Sequence, residues 1–319
     1  MFETFRSRLV IRGNLIALTA LRIGTGRSTE PTGSDLPVLR DAMDRPYIPG
    51  SSFKGVLRSH IERLVRAAIP GCRGACIPTD EKQRCVRRGR VYDYPEEKIT
   101  PETAYPLEQP VGIRDLILKA EAAEREERKK ALKENRRDYR KADEFLAEYL
   151  SLHSCLVCLT FGSPWLASHV QVKDLPVDPA VWFGQYQIRH GVAIDRDTET
   201  AAEGLLYDYE VVPADTRFQV EILMENAEPW QLGMVLLGLK AFEREEIAIG
   251  GFKSRGLGNV RLEINWDRSS YFEMKPGDAQ ALVDFLTKGE EAGQDPRELE
   301  AEWIKAFREK LARRAKGEE

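Results

Sequence analysis

The segment Pro46-Tyr47-Ile48-Pro49-Gly50-Ser51-Ser52 admits little except a turn, because each proline fixes its own φ and biases the residue before it toward extended backbone. Directly after it, Phe53, Val56, Leu57, Ile61, Leu64 and Val65 recur at helical spacing. The stretch therefore predicts a tight turn feeding a helix, with Ser51 or Ser52 as its N-cap. A helix start leaves backbone N–H groups unpaired beside two hydroxyls, and Lys54 and Arg58 lie four apart on one face, a combination that suits a phosphate. An ordinary capped amphipathic helix with solvated basic residues accounts for the same letters.

The flanking chain supplies strands for this helix to pack on. Residues 9–11 and 15–21 are β-branched and apolar, predicting one long strand with an irregularity at Gly13-Asn14 before the turn Gly24-Thr25-Gly26. Residues 27–41 lack periodicity and read as a surface loop of functional length with Asp35 in its middle. Residues 188–198 and 204–212 read as two arms of a long hairpin, and 217–224 alternate as a strand buried on one face. Leu232, Val235, Leu236, Leu239 and Phe242 mark a second helix over 230–245. A glycine-rich loop with Lys253, Ser254 and Arg255 follows, then a strand over 259–266. The order strand, helix, strands, helix, loop, strand is that of an α+β, ferredoxin-like (RRM-like) core. Residues 116–150, rich in Ala, Glu, Lys and Arg, read as a solvated helical insertion, and the chain beyond Pro276 as one or two charged helices.

Composition matters at two points. A net charge of −4 excludes a protein that coats nucleic acid by bulk electrostatics, so any such contact needs a local basic surface. No apolar run approaches the roughly 20 residues of a membrane span, and residues 1–6 do not read as a signal peptide, so a cytoplasmic protein without a membrane partner is expected. The five cysteines fall in two groups, Cys72, Cys76 and Cys85, then Cys155-Leu156-Val157-Cys158. A C-x2-C pair is half of a tetrahedral zinc site, and Cys76 with Cys85 can complete it as a structural centre, with Cys72 or His153 as substitutes. The histidines, His60, His153, His169 and His190, read as core or surface residues without an acid/base partner.

Several of these pieces together resemble the RAMP superfamily, and within it the Csm/Cmr-type backbone subunits of type III CRISPR effector complexes. They are Gly24-Thr25-Gly26, residues 34–41, 46–54, 155–163, 191–196 through Tyr207-Asp208, and 250–258, within 7–266 overall. The resemblance implies a guide RNA, a complementary target RNA and the other effector subunits as partners. It puts the target-cutting carboxylate at Asp35, served by Mg or Mn, with the 2′-hydroxyl of RNA as nucleophile. It implies a guide cradle at Ser51, Ser52, Lys54 and Arg58, with Gly250, Gly251, Lys253, Ser254, Arg255 and Gly256 on the same RNA face. It makes the hairpin a thumb that wedges into the guide–target duplex. The implied division is an RRM-like domain over 1–275, carrying a zinc-binding helical insertion at about 70–160 and the thumb region at about 163–215, then helices over 276–319. Two alternatives are a non-catalytic structural or end-cap subunit and a standalone endoribonuclease that matures CRISPR transcripts.

Overall fold

In the computed structural model, residues 4–26, 34–70, 74–88, 111–134, 136–194, 196–197 and 199–317 are described. The strands in chain order are β1 (Ser7–Ala17), β2 (Tyr47–Ile48), β3 (Val86–Arg87), β4 (Val111–Gly112), β5 (Val170–Val172), β6 (Leu175–Pro176), β7 (Gln187–Ile194), β8 (Ala201–Val211), β9 (Arg217–Glu225), β10 (Val260–Ile264) and β11 (Ser270–Glu273). The helices are α1 (Gly50–Ala68), α2 (Ile113–Lys133), α3 (Ala142–His153), α4 (Leu156–Phe161), α5 (Pro229–Glu243), α6 (Ala279–Lys288) and α7 (Glu300–Lys316). The result is a mixed α/β protein.

β1 is the centre of the main sheet, whose order is β10-β1-β9-β5, with β11 continuing the β10 edge of β1. All of these pairings are antiparallel. Phe218, Val220, Ile222 and Met224 alternate inward along β9, as a strand with one buried face requires, and meet Leu9, Ile11 and Leu15 of β1 in the main core. α1 and α5 join this core, and Phe53 stacks on Phe242 at 4.8 Å between ring centroids. α5 is buried nearly all round because α7 takes its other side, where Trp303 is only 2% exposed. The tail is therefore not wholly a solvated extension.

Several expected boundaries move, each for a local reason. β1 ends at Ala17, and Leu21 instead exchanges backbone hydrogen bonds with Val212 at 2.9 and 2.8 Å. Gly13 and Asn14 are regular ladder residues, paired with Ile264 and Glu263 on one side and Val220 and Gln219 on the other. Gly13 is glycine because a Cβ there would strike the carbonyl of Glu263. Neither Ser51 nor Ser52 caps α1. The helix starts at Gly50, two residues earlier than a Ser51 cap would give, with Pro49 in the N-cap position, and Asp174 Oδ1 accepts the Gly50 N–H at 2.8 Å. The segment 116–150 forms two helices, α2 and α3, whose Leu116 and Leu150 share a small core with Val86 and Ile113. Among the described residues no helix is long and apolar enough to cross a membrane.

Candidate nucleic-acid interface and metal centre

The first turns of α1 and the glycine-rich loop face one another across a groove of about 580 Å³, into which Ser51, Ser52, Ser59, Gly250, Gly251 and Lys253 look. Two of the elements singled out in the sequence thus meet, 200 residues apart in the chain by their serine and glycine numbers. The loop needs glycine where it passes over Arg22: Gly250 has φ +88°, a Cβ there would strike the Arg22 carbonyl, and the Gly251 N–H donates to that carbonyl at 2.9 Å. Arg22 is the residue that the sequence reading missed. Its guanidinium lies 5.3 Å from the Phe252 ring centroid, and its Nε is buried with no hydrogen-bond partner among the described residues. Burial pulls the Arg22 and Lys253 pKa values down, so both cations gain by acquiring an anion. Arg63, on the α1 side, contacts His60 Nδ1 at 3.2 Å, while Glu246 on the rim is spent on Arg244 at 2.7 Å.

Lys54 and Arg58 do not line this groove. Lys54 Nζ donates to Ser168 Oγ at 2.8 Å and the Val170 carbonyl at 2.7 Å. Arg58 pairs with Glu62 at 2.7 Å and donates to the Gly162 carbonyl at 3.0 Å. Four-residue spacing correctly grouped them on one face, but that face turns to α4 and β5 rather than to the glycine-rich loop.

A small apolar cluster ties the groove to Asp35. Ala20, Tyr209, Val211 and Leu257 pack with Leu36, Tyr207 and Phe252, the Tyr209 and Phe252 rings lying 4.8 Å apart. Arg255 reaches across to the Tyr207 hydroxyl. Leu36 N–H donates to the Asp208 carbonyl at 3.2 Å and Glu210 N–H to the Leu36 carbonyl at 3.1 Å, so the chain after Asp35 lies along the free edge of β8. Exposed Asp35 accepts the Asp208 N–H on Oδ2 at 3.1 Å. The β7–β8 hairpin has the expected arms, with His190 opposite Asp208 and their side chains 2.6 Å apart. His190 thus has an acidic partner after all, one that hairpin register supplies. Residues 27–33 of the Asp35 loop, and Asp195 and Thr198 between the hairpin arms, lie outside the described residues.

Cys76, Cys85, Cys155 and Cys158 are all buried, with their sulfurs within 4.8 Å of one another. Cys76 and Cys158 Sγ are 3.5 Å apart. Cys155 is the N-cap of α4, and its sulfur accepts the N–H groups of Cys158 and Cys76 at 3.4 Å each. A tetrahedral thiolate site with bonds of about 2.3 Å has sulfur–sulfur edges of roughly 3.8 Å, so the donor set and spacing fit a soft divalent ion with little movement. Crowding splits the titration of these thiols: hydrogen bonding, first to Cys155, pushes Cys158 up and pulls Cys85 down. His153 is not in the cluster, and Cys72 lies outside the described residues.

The family model of the RAMP superfamily matches residues 14–261. The CRISPR system Cms endoribonuclease Csm3 of Methanocaldococcus jannaschii is 24% identical over 267 residues, 81% of this chain and 80% of that protein. Proteins of the same name from Methanothermobacter thermautotrophicus and Enterococcus italicus are 47% identical over 60 residues and 45% over 67. Those two matches span 18% and 20% of this chain, and only 24% and 31% of the relatives.

Proposed function

The chain belongs to the RAMP superfamily, and from that premise we propose that it is a cytoplasmic backbone subunit of a type III CRISPR ribonucleoprotein, holding guide RNA and cutting complementary target RNA at Asp35. The strand order supports a ferredoxin-like core: with β1, β5, β9 and β10 taken as strands one to four, the sheet runs four-one-three-two, with α1 after the first strand and α5 after the third. We take residues 1–275 as that domain with its insertions and 276–319 as helical additions packed on it.

The observation that carries the RNA reading is the groove between α1 and the glycine-rich loop, where two serine hydroxyls and the under-partnered cations Arg22 and Lys253 converge. We assign guide phosphates to Ser51, Ser52, Gly250, Gly251, Lys253 and Arg22, with Ser254, Arg255 and Gly256 at the hairpin end of the same loop. Lys54 and Arg58 do not contact phosphate in this reading; they brace α1 against β5 and α4.

The cut itself needs little from the protein, because RNA carries its own nucleophile. With the hairpin wedged between guide and target, one target linkage lies open beside Asp35, and the 2′-hydroxyl attacks its phosphorus in line as the 5′-oxygen leaves. The chain's residues hold that geometry: the β8 backbone fixes Asp35, and the Phe252–Tyr209–Leu36 cluster fixes the distance from groove to carboxylate. A Mg or Mn ion at the exposed carboxylate would neutralise charge on the phosphate. Cys76, Cys85, Cys155 and Cys158 would hold a structural zinc ion.

The test is a time course on end-labelled complementary RNA with the assembled complex. Asp35→Ala should abolish regularly spaced, divalent-metal-dependent cutting while guide and target affinity stay near wild type. Cutting at the wild-type rate would make the subunit a scaffold or end cap. Cutting by the isolated chain without complementarity would favour a transcript-processing endoribonuclease.

A further inference from the structure

We propose that Arg58, Glu62 and Arg66 form a charge-balancing ladder that supports the four-cysteine centre in its metal-loaded state, and that metal occupancy thereby sets the position of α1 against the groove beside it. The inference takes the four cysteines as a metal centre and deepens the RNA reading of the groove.

The three residues stand at four-residue intervals on one stripe of α1. Arg58 donates to one oxygen of Glu62 at 2.7 Å and Arg66 to the other at 3.0 Å. Glu62 is only 7% exposed, so two guanidinium groups share one sequestered carboxylate and one positive charge is left over. That excess is directed at the cysteines. Arg58 Nη2 is 3.5 Å from Cys158 Sγ, and its Nη1 donates to the Gly162 carbonyl at the end of α4. Arg66 donates to the carbonyls of Ala75 and Cys76 at 3.2 and 3.4 Å. One arginine therefore grips the segment bearing Cys155 and Cys158, and the other grips the segment bearing Cys76.

A divalent ion with four thiolates carries two net negative charges in a buried place, which is costly without compensation. The ladder supplies part of that compensation and orients both ligand segments, as groups hydrogen-bonded around metal ligands do elsewhere. The groove residues Gly55, Ser59 and Arg63 each stand three residues before Arg58, Glu62 and Arg66, on the neighbouring stripe of the same rigid helix. A shift of the ladder is therefore a shift of the groove wall.

The test uses the zinc-loaded full chain in a chelator competition, read as zinc release without RNA or catalysis. Arg58→Met should release zinc at 10- to 100-fold lower chelator strength. Glu62→Gln should hold zinc as well as wild type or better, because it leaves both guanidinium charges for the centre, and Arg63→Ala should match wild type. Arg66→Met repeats the Arg58→Met result should that variant fold poorly. With zinc saturating, Arg58→Met should keep the salt dependence of single-stranded RNA binding, whereas Arg63→Ala should lower its slope by about 0.7. Chelator-stripped protein should bind RNA at least tenfold more weakly and recover with added zinc. Equal weakening of zinc by Arg58→Met and Glu62→Gln would reduce the ladder to ordinary ion pairing and overturn the proposal. So would undiminished RNA binding after stripping, or a lower salt slope in zinc-loaded Arg58→Met. If neither wild type nor any variant binds RNA, the RNA reading and the metal-to-groove coupling both fall, and the zinc-release series still decides the ladder.

Discussion

Asp35 Oδ2 accepts the backbone N–H of Asp208 at 3.1 Å, so among the described residues the carboxylate assigned to cutting is aimed by the main chain of β8. The 208 side chain is turned to His190 instead.

It follows that the two obvious substitutions at 208 should part company. Asp208→Ala removes the His190 partner and keeps the N–H, so target cutting should stay within a few-fold of wild type. Asp208→Pro removes the N–H on the strand edge that faces Asp35, where proline is tolerated in a sheet. Misplacing a reacting group by about 1 Å costs on the order of 100-fold, so single-turnover cutting should fall by tenfold or more with target affinity retained. Equal rates in the two variants would show that Asp35 is aimed by something else.

Arg22 and Lys54 should likewise separate. Arg22→Ala removes a groove cation, and the salt-dependence slope of single-stranded RNA binding should drop by about 0.7. Lys54→Ala should leave the slope unchanged and cost about 1 kcal/mol of stability, because the Ser168 hydroxyl and Val170 carbonyl lose their shared donor. Filter binding over a salt series, with a denaturant titration of each variant, measures both.

What was legible in the sequence was period, and what was hidden was register and facing. The apolar recurrence through Phe53, Leu57 and Ile61 marks α1, and the alternation through Phe218, Val220 and Ile222 marks β9, because burial of one face imposes those periods. Period says which residues share a face but not what the face meets, which is how Lys54 and Arg58 were assigned to the groove. Asp174 caps α1 from 124 residues away, beyond any local signal. Arg22 looks like an ordinary arginine after a strand, and nothing in the letters around it marks the glycine-rich backbone that passes over its carbonyl. The cysteines were readable because metal chemistry restricts donor type as well as spacing.

Acid should destabilise the fold through its histidines. Burial lowers the pKa values of His60, His153 and His169 below 6.5. As pH falls from 6.5 toward those folded-state values, the unfolded chain binds protons that the native state refuses, so stability declines in that window and is flat for these groups above it. His169 makes the most constrained case, with Nδ1 at 2.7 Å from the Glu225 carbonyl. His169→Gln should therefore shrink the loss between pH 6.5 and 5, read from urea midpoints at each pH. An unchanged loss would assign the acid sensitivity to carboxylates.

The last expectation concerns two glycines on α5 that differ in what surrounds them. A Cβ at Gly238 would come within 2.7 Å of the terminal methyl groups of Leu57 and Ile61, which can rotate away. A Cβ at Gly233 would strike the backbone carbonyl of Trp303, which can yield only if α7 moves as a unit. Alanine gains about 1 kcal/mol of helix propensity at either position. At Gly238 that gain should offset most of the repacking cost, leaving a change within about 1 kcal/mol. At Gly233 it should not, because lifting α7 exposes Trp303 and breaks its edge contact with Tyr271 at 4.9 Å. Gly233→Ala should therefore lower stability by about 3 kcal/mol or more, in the range of losing a large buried aromatic. Trp303 fluorescence should report the loosened helix, provided the other tryptophans are controlled by a Trp303→Phe background. Equal denaturation midpoints for Gly233→Ala and Gly238→Ala would mean that α7 rides on the domain without supporting it, and residues 276–319 would then be a true appendage.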